Sequence, residues 1–152
     1  MPKGKRKPET LFMETTKISP EKTVAEIQAL LGQNGATAVM TEYGPKGEVL
    51  AVSFKVRWKG KEIPFRLPSK WEAVRELLKA KRTKDLDGQA RRTAWRCVLR
   101  WVEAQMALIK TGQVELPQVF LPYLQTGLNQ TLYDLVREKD YALEFKPRKE
   151  EI

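Results

Sequence analysis

The chain has 152 residues, with 28 Lys or Arg against 19 Asp or Glu, no His and one Cys, giving a formal net charge of +9. That length fits one domain able to bury a core without a metal or disulfide, and 41% hydrophobic residues place it among globular rather than disordered chains. The missing His removes a Ser-His-Asp triad, an imidazole base and His metal ligands, and the single Cys97 removes an internal disulfide and a Cys-rich zinc site.

The chain begins MPKGKRKPETLF, basic but without the apolar run of a signal peptide. Residues 1–17 read as a loose basic arm carrying Lys3, Lys5, Arg6 and Lys7. A helix is predicted from Ser19, where Ser caps, Pro20 suits the first turn and Glu21 favours the positive end. Val24, Ile27, Leu30 and Leu31 form its apolar face, and Asn34-Gly35 ends it.

Strands follow at 36–43, 48–58 and 61–67. In 48–58, Leu50, Val52, Phe54, Val56 and Trp58 share one predicted face, with Lys55 and Arg57 on the other. Lys59-Gly60 makes a tight turn into 61–67, where Ile63, Phe65 and Leu67 oppose Glu62, Pro64 and Arg66; Pro64 suits an edge strand. Burial is expected for Leu50, Val52, Phe54, Ile63 and Phe65.

Ser69 and Glu72 read as a capping box opening a second helix. A long helix is predicted from Gln89 to Lys110. Trp95, Val98, Leu99, Val102, Met106 and Ile109 form its main apolar stripe, and Cys97, Trp101, Ala104 and Leu108 a second. Such a helix is either central in the fold or carries a subunit or partner interface. Cys97, placed among large apolar side chains, reads as a small core residue. Beyond Gly112, short broken helices are expected around Pro122 and around Leu132–Val136, and 144–152 reads as a charged tail.

The charge is localised. Residues 55–100 hold 15 Lys or Arg against five acids, while the rest of the chain holds 13 against 14. Two candidate surfaces result. Lys55, Arg57 and Arg66 project from the polar sheet face, with Thr37, Thr41 and Tyr43 as its extension. Arg92, Arg96 and Arg100 step by four along the long helix, suited either to phosphate or to intramolecular acids. Tyr43 and Trp58 are the nearest aromatics for stacking on bases, although Trp58 follows the apolar alternation and so also fits the core. No phosphate-binding loop, dinucleotide fingerprint, zinc finger or paired-carboxylate motif is present. The expectation is a non-enzyme without cofactor or metal.

The stretches METTKISPEKTVAEIQALLGQNGATAVMTEYGPKGEVLAVSFKVRWKGKEIPFRLP (13–68) and WVEAQMALIKTGQVELPQVFLPYL (101–124) resemble a group of small phage- and prophage-encoded proteins. The resemblance implies an accessory role in DNA replication, recombination or host takeover, inside a bacterial host cell. No catalytic residues are carried over from it.

The sequence thus predicts an α+β fold: a three-stranded antiparallel sheet with helices on its apolar face, the long helix central, in a single domain over 18–143. The expected function is sequence-tolerant single-stranded DNA binding by Tyr43, Lys55, Arg57, Trp58, Arg66, Arg92, Arg96 and Arg100. The alternatives are a phage protein that binds and modulates a host protein, and a nucleic-acid-processing enzyme. A cytoplasmic location without a membrane span is expected, and a homo-oligomer is the expected cover for any part of the second stripe left bare.

Overall fold

The computed structural model describes residues 10–142. The basic cluster Lys3–Lys7 and the tail 144–152 lie outside the described residues.

Helix α1 spans Pro20–Gln33. Ser19 Oγ accepts the Lys22 backbone N–H, so the predicted cap forms, and the Asn34 N–H closes the other end on the Leu30 and Leu31 carbonyls. Gly35, at φ 105°, turns the chain into the sheet. Val24, Ile27 and Leu31 are buried along one side of the helix.

Strands β1 (Ala36–Tyr43), β2 (Val49–Trp58) and β3 (Lys61–Pro68) form an antiparallel sheet in that order. β2 and β3 pair without interruption, placing Phe54 opposite Phe65, Lys55 opposite Pro64 and Arg57 opposite Glu62. Their two-residue connection has Lys59 at φ 49° and Gly60 at φ 78°, the doubly left-handed turn whose twist matches the strands.

The β1–β2 pairing is broken twice. Thr37 is looped out between Ala36, opposite Val56, and Ala38, opposite Lys55. Leu50 is looped out between Val49, opposite Tyr43, and Ala51, opposite Glu42. An extra residue reverses the alternation on its own strand. Val49 therefore joins the core, while Leu50, predicted to be buried, is 38% exposed. Val52, Phe54 and Phe65 are buried as predicted, and Ile63 is half-buried.

Helix α2 spans Trp71–Lys79 with its cap at Lys70, one residue past the predicted cap Ser69. The Ser69/Glu72 capping box does not form: Lys70 holds the cap position without a side-chain bond, and the Ser69 hydroxyl is buried without a partner. The reason lies in the sheet. The Ser69 N–H donates to the carbonyl of the bulged Leu50, so this residue is still tied to β2 where a cap would have to turn away.

Helix α3 (Leu86–Lys110, 25 residues) runs about 37 Å and is the central helix. Its Trp95, Leu99, Val102 and Met106 share one buried cluster with α1, the inner sheet face, Leu116 and Phe120. The second stripe is met largely by the chain itself. Trp101 packs edge-on against Phe120 and Tyr123, at 5.4 and 5.6 Å between ring centroids, and the Cys97 thiol donates to the Phe12 carbonyl. Ala104 stays exposed. These contacts leave Trp101 half-buried, so part of the second stripe stays at the surface.

Helix α4 (Leu116–Phe120) runs into a 3-10 turn at Leu121–Tyr123. Leu124 then bridges Phe65, closing part of the free edge of β3. The QTGLNQ stretch forms a hairpin of β4 (Gln125–Gly127) and β5 (Gln130–Thr131). Helix α5 (Leu132–Glu138) follows, with a reciprocal cap between Thr131 and Asp134.

The described part of the predicted loose arm is docked. Lys81 Nζ lies 2.5 Å from Glu14 Oε2, Gln89 Nε2 donates to the Glu14 and Thr16 carbonyls, and Thr93 Oγ1 donates to the Met13 carbonyl. Gln89 and Thr93 of α3 add side-chain donors to the carbonyls of this irregular segment, and Lys81 of the α2–α3 connection pairs with Glu14. Among the described residues no helix is long and apolar enough to cross a membrane.

Candidate nucleic-acid interface

The helices cover one face of the sheet. The other face carries Lys55 and Arg57, two residues apart on β2 and both exposed. Beyond them, Lys59 and Lys61 flank Gly60 at the hairpin end, also exposed. None of these four cations makes an ion pair among the described residues, and Glu62, opposite Arg57, is the acid on this hairpin. Beside Lys55 an open groove of about 330 Å³ is lined by Ala38, Met40, Pro64 and Gln125 among others, so its floor is mainly apolar.

Arg66 shares this face but is already engaged. Its Nε donates to Glu42 Oε2 at 2.8 Å, and Ser53 Oγ donates to the same oxygen, so three strands are tied together across the outer face. A polyanion would have to compete with Glu42 for this guanidinium.

The arginine row on α3 is likewise met by acids. Arg92 faces Asp85 at 3.5 Å and donates to Gln89 Oε1, while Arg100 pairs with Glu103 at 2.8 Å. Arg96 is 5% exposed, with Nη1 donating to Glu26 Oε2 at 2.8 Å and to Thr23 Oγ1. Arg96 is therefore part of the α1–α3 interface and cannot reach a phosphate from the surface. The intramolecular alternative considered for this row is the one the geometry favours.

The two aromatics are not brought to Lys55. Trp58 keeps the alternation of Val52, Phe54 and Val56 on the helix side and is half-buried. Thr41 lies opposite Val52 and accepts from Gln28 of α1, so it faces the helices too. Tyr43 is 62% exposed but has the strand parity of Val39 and Thr41, not of the residue opposite Lys55. The sequence reading overlooked Lys59 and Lys61, although a K-G-K turn after an alternating strand marks them. Arg91, at the flank of the α3 row, has its guanidinium 4.3 Å above the Trp71 ring.

Other chemistry is sparse. Burial pushes the Cys97 thiol up from its ordinary pKa, which favours the protonated, unreactive form. The Thr131 backbone N–H holds the Asp134 carboxyl below the usual range, as an N-cap partner should. Among the described residues no cluster of three His, Cys, Asp or Glu is placed to hold a metal ion.

Comparison with protein-family models, curated proteins and solved structures finds no match to this chain. Its class is defined by its own architecture: an α+β protein whose three-stranded antiparallel sheet is packed on one side by helices, with α3 at the centre.

Proposed function

We propose that this protein binds single-stranded DNA with little sequence preference, in the phage or prophage replication or recombination setting that the resemblance implies. The observation that carries this reading is the pair of exposed, unpaired cations Lys55 and Arg57 on the open sheet face, continued by Lys59 in the hairpin turn; Lys61, opposite Trp58, lies toward the other face. Phosphates along a strand would neutralise these charges, and the apolar groove beside Lys55 offers a surface for bases that only an unpaired strand exposes. Duplex reading from a helix is less favoured, because the arginine row of α3 is held by Asp85, Glu26 and Glu103. The role is binding, with no catalytic step assigned.

The test is fluorescence anisotropy of labelled oligo-dT, a matched duplex and oligo-rU over a salt series. Oligo-dT should bind more tightly than duplex, with log K falling linearly against log salt. Tighter oligo-rU binding would move the proposal from DNA to RNA. Undetectable single-strand binding at low salt by folded protein would overturn it and favour the host-protein alternative.

A further inference from the structure

Beyond the outer face, β3 leads into a second groove, of about 500 Å³, between the strand's end and α5. Arg66 and Pro68 of β3, Lys70, Pro122, Tyr123 and Tyr133 line it. Tyr133 is 41% exposed, and its hydroxyl lies 3.1 Å from that of Tyr141. Tyr123 is fixed edge-on against Trp101. One acid, Asp134, also lines the groove, but its Oδ2 accepts both the Thr131 N–H and the Thr131 hydroxyl. Lys70, exposed and without an ion pair among the described residues, lines the same groove as Tyr123 and Tyr133, where, after the Thr131 hydrogen bonds, its charge helps hold the Asp134 carboxyl below the usual range.

The position of the groove indicates its occupant. Pro64, Arg66 and Pro68 alternate along the outer side of β3. Pro64 lines the groove beside Lys55, while Arg66 and Pro68 line the one beside Lys70. Four residues of strand separate Pro64 from Pro68, about 13 Å. A chain with phosphates at Lys55 and Arg57 would continue along this face into the tyrosine-lined groove.

We infer that this groove takes one base of a bound single strand, stacked on Tyr133 with its phosphate near Lys70. The inference rests on the single-strand reading above and supplies the aromatic contact that Tyr43 and Trp58 do not provide. The probes are a labelled oligo-dT 12-mer and an abasic 12-mer with the same phosphates, measured against the full chain and its Tyr133→Ala, Tyr133→Phe and Lys55→Ala/Arg57→Ala variants. Oligo-dT should bind the unaltered chain more tightly than the abasic oligomer, by roughly 5- to 150-fold. Tyr133→Ala should remove part of that difference, the rest belonging to bases on the groove beside Lys55, without changing abasic binding or the salt slope, and Tyr133→Phe should retain all of it. Lys55→Ala/Arg57→Ala should weaken both oligomers alike. Equal binding of the two oligomers, or oligo-dT binding unaffected by Tyr133→Ala, would overturn the base site and leave the phosphate contacts standing. Binding of neither oligomer would overturn both.

Discussion

Arg96 of α3 and Glu26 of α1 meet at 2.8 Å, with the arginine buried and the carboxylate half-exposed. The pair joins the two helices that cover the sheet, and it removes from the surface a cation that helical spacing alone would place in a phosphate-binding row. The asymmetry matters energetically. Glu26 can regain water if its partner is lost, whereas a buried guanidinium without its acid cannot.

Glu26→Ala should therefore destabilise the protein by about 1–3 kcal/mol, the range for leaving a buried donor unsatisfied. Arg96→Met, which keeps much of the volume and removes the charge, should cost less. Urea unfolding of both variants measures the difference. A larger loss for Arg96→Met would show that the arginine stabilises by its charge rather than by its packing. Arg96→Met should leave the salt slope of oligonucleotide binding unchanged.

Lys55→Ala and Arg57→Ala should behave in the opposite way. Both side chains are exposed and unpaired, so stability should change little, within about 0.5 kcal/mol. Each should instead reduce the steepness of log K against log salt by about 0.7, the contribution of one single-strand phosphate contact. Arg66→Ala should mix the two effects, because it also breaks the bond to Glu42. Anisotropy titrations at four or five salt concentrations separate the classes.

The Glu14–Lys81 contact carries a pH signature. The hydrogen bond from Lys81, followed by one from the Leu11 backbone, holds the Glu14 carboxyl below the ordinary glutamate range. A carboxyl lowered in the fold contributes stability fully above its unfolded pKa, and that contribution is lost as pH falls through the lower folded value. Acidification below the usual carboxylate range should therefore loosen residues 11–16 from the α2–α3 connection, seen as faster amide exchange at Glu14 and Thr16. Glu14→Gln should flatten this pH dependence. Exchange rates with the same acid response in the variant would assign the effect to another group.

Phe120 holds the C-terminal segments to the sheet. It is fully buried, 5.2 Å from the Phe54 ring and 5.4 Å from Trp101, both edge-on. Phe120→Ala should cost about 3–5 kcal/mol in denaturant unfolding, as expected for truncating a buried aromatic. Because Leu124 follows closely and bridges Phe65, the same variant should raise amide exchange through β4 and β5. Phe120→Leu should recover much of the loss.

The first helix, the three strands and the long helix were legible in the sequence. Each is specified by signals within a few residues: Ser19-Pro20 at a helix start, alternation through Val52, Phe54 and Val56, a Lys59-Gly60 turn, and helical spacing from Trp95 to Met106. The free cations Lys55 and Arg57 were legible for the same reason, since strand parity alone puts them away from Phe54. Tertiary structure decided the rest. Leu50 turns outward because of a register break against β1, and Ser69 fails as a cap because its N–H is held by Leu50. Residues 13–16 dock because Lys81, Gln89 and Thr93 lie beside them in space, far along the chain. Arg96 is neutral in effect because Glu26 stands on another helix, and Tyr133 reaches the end of β3 only through the packing of Phe120 and Leu124. Caps and periodicity are energies between neighbours in the chain. The pairing of charges and the joining of surfaces depend on which distant residue arrives opposite, and that is settled only when the helices pack on the sheet.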